Sequence, residues 1–156
     1  MFSNFFKRGA SSTAKSLLKS ALTQFHIDNG GNMIQYSGLS FPEYYQRGPV
    51  QEHLLCKTEC SLFDTSFMGQ YIITGSDREE FLKNLMPLSF PYQPDNSVQH
   101  SLITNDDGGI IDNCTVTSRT DNSIHLVVNG IALQKDNDHL QEQLEIFKAY
   151  EKNIDI

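Results

Sequence analysis

Apolar and polar residues alternate along this chain with two periods, and each period marks a different kind of element. Around residues 11–28 the spacing is helical: Phe5, Leu17, Leu18, Ala21, Leu22 and Phe25 share a face, and the lysines fall elsewhere. Gly30 and Gly31 stop that predicted helix. Residues 33–45 alternate, with a turn at Ser37 and Gly38 and a proline at 42, which predicts a short strand and then an irregular aromatic segment. Pro49 opens a helix predicted from 48 to about Glu59, with Val50, Leu54, Leu55 and Cys56 facing inward. Residues 69–77 read as a strand. A helix follows, capped by Ser76 or Asp77, with Glu79 and Glu80 in its first turn and Phe81, Leu82 and Leu85 inward. It ends before Pro87, and the three prolines of 87–97 predict a loop. Strands over 97–104, 109–119 and 123–130 form a meander, joined by turns at Asp106-Asp107-Gly108-Gly109 and at 120–123. Residues 132–152 form a long helix, apolar at Leu133, Leu140, Leu144 and Phe147. Strand, helix, three-strand meander and helix make an α+β fold, an antiparallel sheet with helices on one face.

Composition places this pattern in an ordinary globular domain. The chain has 156 residues, 38% hydrophobic and 20% charged, which is enough for one domain with a real core. No apolar run approaches the length of a membrane span. A net charge of −7 argues against a nucleic-acid partner. The charge is uneven. Residues 1–27 hold Lys7, Arg8, Lys15 and Lys19 and no acid, which leaves eight basic against nineteen acidic residues in the rest, a net −11. A basic, serine-rich, amphipathic and acid-free N-terminus is the signature of a mitochondrial presequence. The expected organisation is therefore a presequence-like amphipathic segment over 1–27 and a folded domain over 28–152. Three cysteines make no disulfide framework and fit a reducing compartment such as the mitochondrial matrix.

The stretch NDDGGIIDNCTV (105–116) has the form of a working part, with acids on a Gly-Gly turn and Asp112 and Asn113 just past it. Other constellations are weaker. His53, Cys56 and Cys60 lie at i, i+3 and i+7, but no second Cys/His pair completes a zinc site, so no metal is expected and the cysteines read as buried packing residues. Cys114 with His100 or His125 would make a nucleophile pair only if the strands aligned them, and an apolar strand favours packing for the thiol. The glycines form no phosphate loop. The aromatics Tyr36, Phe41, Tyr44, Tyr45, Phe63, Phe67 and Tyr71 are dense enough to stack on a flat heterocycle, with core packing the favoured reading.

Four stretches in order, FHIDNGGNMIQYSGLSFPEYY (25–45), CSLFDTSFMGQYIITGSD (60–77), HSLITNDDGGIIDNCTV (100–116) and LVVNGIALQKD (126–136), resemble the aminomethyltransferase family, the glycine-cleavage T-protein and its folate-binding relatives. The resemblance spans roughly residues 22–150. It implies a ferredoxin-like sheet beside a folate channel. It also implies transfer of a one-carbon unit from an aminomethyl-lipoyl arm of the H-protein to tetrahydrofolate, with release of ammonia. The chain corresponds to the first two-fifths or so of such an enzyme. It departs from the family pattern where the chemistry sits. The family's two consecutive aspartates become Asp112 and Asn113, and the second is the one that carries the reaction. An amide cannot act as a carboxylate base. The family's FDVSHMG becomes FDTSFMG, so Phe67 replaces a histidine; Leu39 replaces an aromatic, and Ala132 an asparagine. Met68, His100, Asn113 and Thr115 fall on folate-lining positions and would be vestigial.

The resemblance and its departures together imply a catalytically inactive aminomethyltransferase-like domain with no catalytic residue, no metal and no cofactor beyond a vestigial tetrahydrofolate site. Its expected role is a structural or accessory subunit of a mitochondrial multiprotein assembly, a respiratory-chain complex or the mitochondrial ribosome. Its expected partners are protein subunits, in the matrix or on the matrix side of the inner membrane, and it is not itself membrane-spanning. The alternative is an active tetrahydrofolate-dependent aminomethyltransferase present as a fragment or split subunit.

Overall fold

The computed structural model describes residues 18–88 and 96–156. The first seventeen residues of the presequence-like segment and most of the predicted proline-rich loop lie outside that range. Two sheets form. The smaller has the order β1-β3-β2, built from β1 (Leu18–Lys19), β2 (Asn32–Tyr36) and β3 (Leu39–Tyr44). The larger has the order β4-β7-β6-β5, from β4 (Gly69–Ile73), β5 (Val98–Thr104), β6 (Ile110–Ser118) and β7 (Ile124–Val128). All its pairings are antiparallel.

The helix expected across 11–28 is corrected within the described residues. Leu18 and Lys19 pair in parallel with Leu39 and Ser40, and only α1 (Thr23–Asp28) is helical. The amphipathic spacing was real, but strand pairing with β3 offers backbone partners that a short isolated helix cannot match. Ser20 makes the break, its hydroxyl accepting from the Leu22 N–H at 3.3 Å and its carbonyl from the Thr23 N–H at 3.2 Å.

The segment expected to be irregular after Gly38 is a strand. Ser37 and Gly38 both take positive φ, 51° and 78°, the geometry of a two-residue hairpin turn. Pro42 is tolerated in β3 because β1 pairs only as far as Ser40, and the ladder to β2 bulges near Met33, opposite it.

In the larger sheet, Ile73, Ile103, Cys114, Val116, Ile124, Leu126 and Val128 point to one face and are buried. Two helices cover that face. From α3 (Arg78–Leu85) come Phe81, Leu82 and Leu85, and from α4 (Leu133–Ala149) come Leu140, Leu144 and Phe147. Phe81 and Phe147 meet edge to face with centroids 5.2 Å apart. Each large side chain so buried contributes roughly 1.5–3 kcal/mol. The expected α+β class, antiparallel sheets with helices, is borne out. Asp77 stands at the N-cap of α3, but its carboxylate does not cap. It accepts from the Asn153 N–H at 2.8 Å and draws the chain after α4 back to the sheet, where Thr74 and Asp155 bridge.

Helix α2 (Gly48–Thr58) forms where expected, yet buries no residue. Val50 is 72% and Leu54 57% exposed, and Cys56 and Cys60 are exposed, so the predicted inner face and the buried cysteines are both corrected. The helix is anchored by a side chain at its edge instead: Glu52 accepts the Tyr45 N–H at 2.8 Å.

His26 fastens the parts around it. Its Nε2 lies 2.9 Å from Asp64 Oδ2 and its Nδ1 2.6 Å from the Tyr45 hydroxyl, tying α1 to β3 and to the segment before β4. All three groups sit in or near the interior, with the His26 side chain 5% and the Asp64 side chain 7% exposed. Burial raises the Asp64 carboxyl, but hydrogen bonds from His26 and Ser66 outweigh it and hold the group below its ordinary value. Its stabilising contribution is therefore present above the ordinary carboxylate pKa and is lost as pH falls through the lowered one. His26→Ala, which strands both partners, is expected to cost about 2–4 kcal/mol in urea unfolding, and to flatten the loss of stability on acidification that Asp64 is expected to give the parent protein.

Candidate functional site

The chain from 110 to 118 extends because alternation lets one face bury and the other stay open. Asp112, Cys114 and Val116 turn toward the helices, and Asn113, Thr115 and Thr117 turn away. The preceding hairpin is tight: the Gly109 N–H donates to the Asn105 side chain at 2.6 Å, the Gly108 N–H to the Asn105 carbonyl at 3.0 Å, and Gly108 takes a φ of 77°.

Three of the expected site positions, His100, Asn113 and Thr115, lie on the face away from α3 and α4. His100 lies directly opposite Thr115, and Asn113 lies opposite Leu102, one pleat along. Gly69 pairs with Val128, and Cys114 pairs with Val128 on its other side. Extended by one residue, that row sets Met68, Asn129 and Asn113 in line across the sheet end. Met68 closes a turn there, its N–H donating to the Thr65 carbonyl at 3.0 Å. The structure thus brings His100, Asn113 and Thr115 to one face and sets Met68 in the bend that precedes β4.

Cys114 faces the opposite way. It is buried in the core, where desolvation first, and then the charges of Asp112 and Asp136, push its thiol up to about 12. His100 and His125 belong to the other face, so neither meets it. The thiol stays neutral and packs. Around α2, His53, Cys56 and Cys60 are all exposed, and among the described residues no group of three or more His, Cys, Asp or Glu converges as metal ligands.

Phe67 stands edge-on to Tyr36 at 5.1 Å and to Phe41 at 5.3 Å. Position 67 is therefore a packing position here, and Phe67, in the segment before β4, clusters with Tyr36 of β2 and Phe41 of β3. Gly130 passes so close to the Phe67 carbonyl that any Cβ would collide with it. That contact requires glycine after Asn129.

Asn129 is the residue that sequence reasoning did not single out. Its N–H donates to Asp112 Oδ2 at 2.8 Å, and its side-chain NH₂ donates to Asp112 Oδ1 at 2.9 Å and to Asn113 Oδ1 at 2.6 Å. It clamps both members of the Asp-Asn pair. The available signal was an asparagine before a glycine at the end of a strand, just ahead of a long helix. Behind this clamp lies Asp136, in the first turn of α4 and fully buried. Burial, and then the neighbouring Asp112, push its carboxyl up to about 7.

Residues 22–155 match the GCVT N-terminal domain family. The chain belongs to that family. It is an aminomethyltransferase N-terminal part, 34% identical over 145 residues to the mitochondrial aminomethyltransferase of Dictyostelium discoideum, a match that covers 93% of this chain and 36% of that protein. The human mitochondrial aminomethyltransferase is 33% identical over 137 residues, covering 88% of this chain and 34% of the relative. The crystal structure of glycine cleavage system aminomethyltransferase T from Bartonella henselae superposes with a TM-score of 0.77 at 25% identity, over 90% of this chain and 37% of that one. The chain spans about a third of the length of the curated relatives it matches.

Within this GCVT N-terminal domain, Asn129 joins the ends of β6 and β7. Asn129→Ala removes the side-chain donor to Asp112 Oδ1 and Asn113 Oδ1 and leaves only the backbone N–H bond to Asp112 Oδ2. It is expected to lower stability by about 1–3 kcal/mol, with faster hydrogen exchange confined to the start of β6 and the end of β7. Uniform loosening of the sheet would contradict the clamp.

Proposed function

We propose that this chain is a non-catalytic aminomethyltransferase-like domain that serves as a structural subunit of a mitochondrial assembly. The observation that carries the reading is Asn113. The resembled enzymes hold a carboxylate there for proton handling and charge stabilisation. Here an amide fills the position, and its oxygen is already taken by the Asn129 NH₂ at 2.6 Å. Asp112 does not replace the missing acid, because both its oxygens accept from Asn129. His100 and Thr115 remain on the same face, but the set present does not supply the carboxylate that tetrahydrofolate chemistry would need.

A partner-covered surface supports the subunit role. Leu62 is 99% and Phe63 71% exposed, beside a helix that buries none of its own residues. With Leu22, Phe25 and Leu55 they line an open groove of about 1040 Å³. Apolar surface of this kind marks an interaction site, and a helix of eleven residues needs packing to persist. Mitochondrial residence is supported by the relatives named as mitochondrial proteins and by the acid-free basic segment over 1–27.

Two measurements test the reading. Purified protein supplied with aminomethylated H-protein and tetrahydrofolate is expected to release no ammonia and form no methylenetetrahydrofolate above background; turnover would refute the non-catalytic assignment and favour the fragment or split-subunit enzyme. In detergent-solubilised mitochondria resolved on native gels, the protein is expected to migrate with a large assembly, with respiratory-chain complexes the first to probe and the ribosome the second. Recovery as a free monomer would remove the structural role.

A further inference from the structure

We propose that the carboxyl groups of Asp112 and Asp136 share one proton, and that this proton latches the first turn of α4 to the start of β6. The side chain of Asp136 is fully buried, and neither of its oxygens meets a hydrogen-bond donor. Its close neighbour is another carboxyl, that of Asp112, which acts on it through both charge and a side-chain hydrogen bond. Two ionised carboxylates have only acceptors to offer each other. The contact is favourable only when one of them holds a hydrogen.

The remaining partners say which one. Asp112 accepts two hydrogen bonds from Asn129, at 2.8 and 2.9 Å, and these favour its ionised form. Asp136 has no such donors and keeps the proton. The other groups facing it do not neutralise a second charge. Cys114 on β6 is a neutral thiol, and Tyr71 on β4 is a phenol pushed further up by burial and by Asp136 itself. On α4, Lys135 is the weakest influence on Asp136, and His139, one turn on, keeps a buried Nε2 without a partner.

The sign follows from linkage. The Asp136 carboxyl is raised from 3.8 to about 7. Its contribution is complete below the unfolded value, declines as pH rises, and is gone once pH passes the folded value. Above that point two like charges face each other beneath the Asn129 clamp. The arrangement would make the site end of the sheet more mobile at alkaline than at neutral-to-acid pH.

Carboxyl carbon NMR of the full chain tests this directly. The Asp136 resonance is expected to titrate near 7, and hydrogen-exchange protection of the first turn of α4 to fall by up to about tenfold per pH unit between pH 5 and 7, then level off. Thermal unfolding of the parent and of Asp136→Asn separates this group from every other ionisable group, since the two proteins share all the rest. The variant is expected to lose the decline in melting temperature between pH 5 and 7 and to be the more stable of the two at pH 8. An Asp136 resonance that titrates in the ordinary carboxylate range overturns the proposal, as does an unchanged pH slope in the variant. Should the variant fail to fold, the titration of the parent decides alone.

Discussion

The four-stranded sheet is packed by helices on one face, and that constraint governs everything else in the domain. With a side-chain period of two, each strand residue is committed to one side. Phe81 and Phe147 meet edge to face over the buried side and set α3 and α4 there. Cys114 and Val116 must then be core, and Asn113 and Thr115 must face away. A slip of one residue in β6 would exchange the two sets. The Asp-Asn pair straddles this division, with Asp112 looking toward the helices and Asn113 looking out.

The straddle explains why the pair needs a clamp. A carboxylate at the margin of the core is costly without hydrogen bonds, and Asn129 supplies two of them from the end of the neighbouring strand. The same NH₂ reaches Asn113, so both members of the pair are fastened to the end of β7. Gly130 follows from the same packing, since the Phe67 carbonyl leaves no room for a side chain.

The smaller sheet and α2 obey a different rule. They are joined to the rest through specific polar contacts: His26 with Asp64 and Tyr45, and Glu52 with the Tyr45 N–H. Apolar residues on α2 and at Leu62 and Phe63 stay exposed because no core lies beneath them among the described residues. The chain spans a little over a third of the length of the relatives it matches.

Local pattern determined much of this protein. The meander of β5, β6 and β7, the inward residues of α3 and α4 and the hairpin at Gly108 follow from periodicity and turn chemistry, and the Asp112-Asn113 pair just past that hairpin is legible in the sequence. Tertiary structure decided the rest. It turned residues 18 and 19 into a strand, because β3 offered backbone partners that amphipathic spacing does not register. It ordered the strand through Pro42, since β1 stops short of that position. It left α2 without a core, because a periodic pattern states which residues share a face and not whether anything covers it. It also brought Asn129, Asp112 and Asp136 together from three separate elements. No spacing rule links them, because their meeting depends on strand register and on where the first turn of α4 comes to rest.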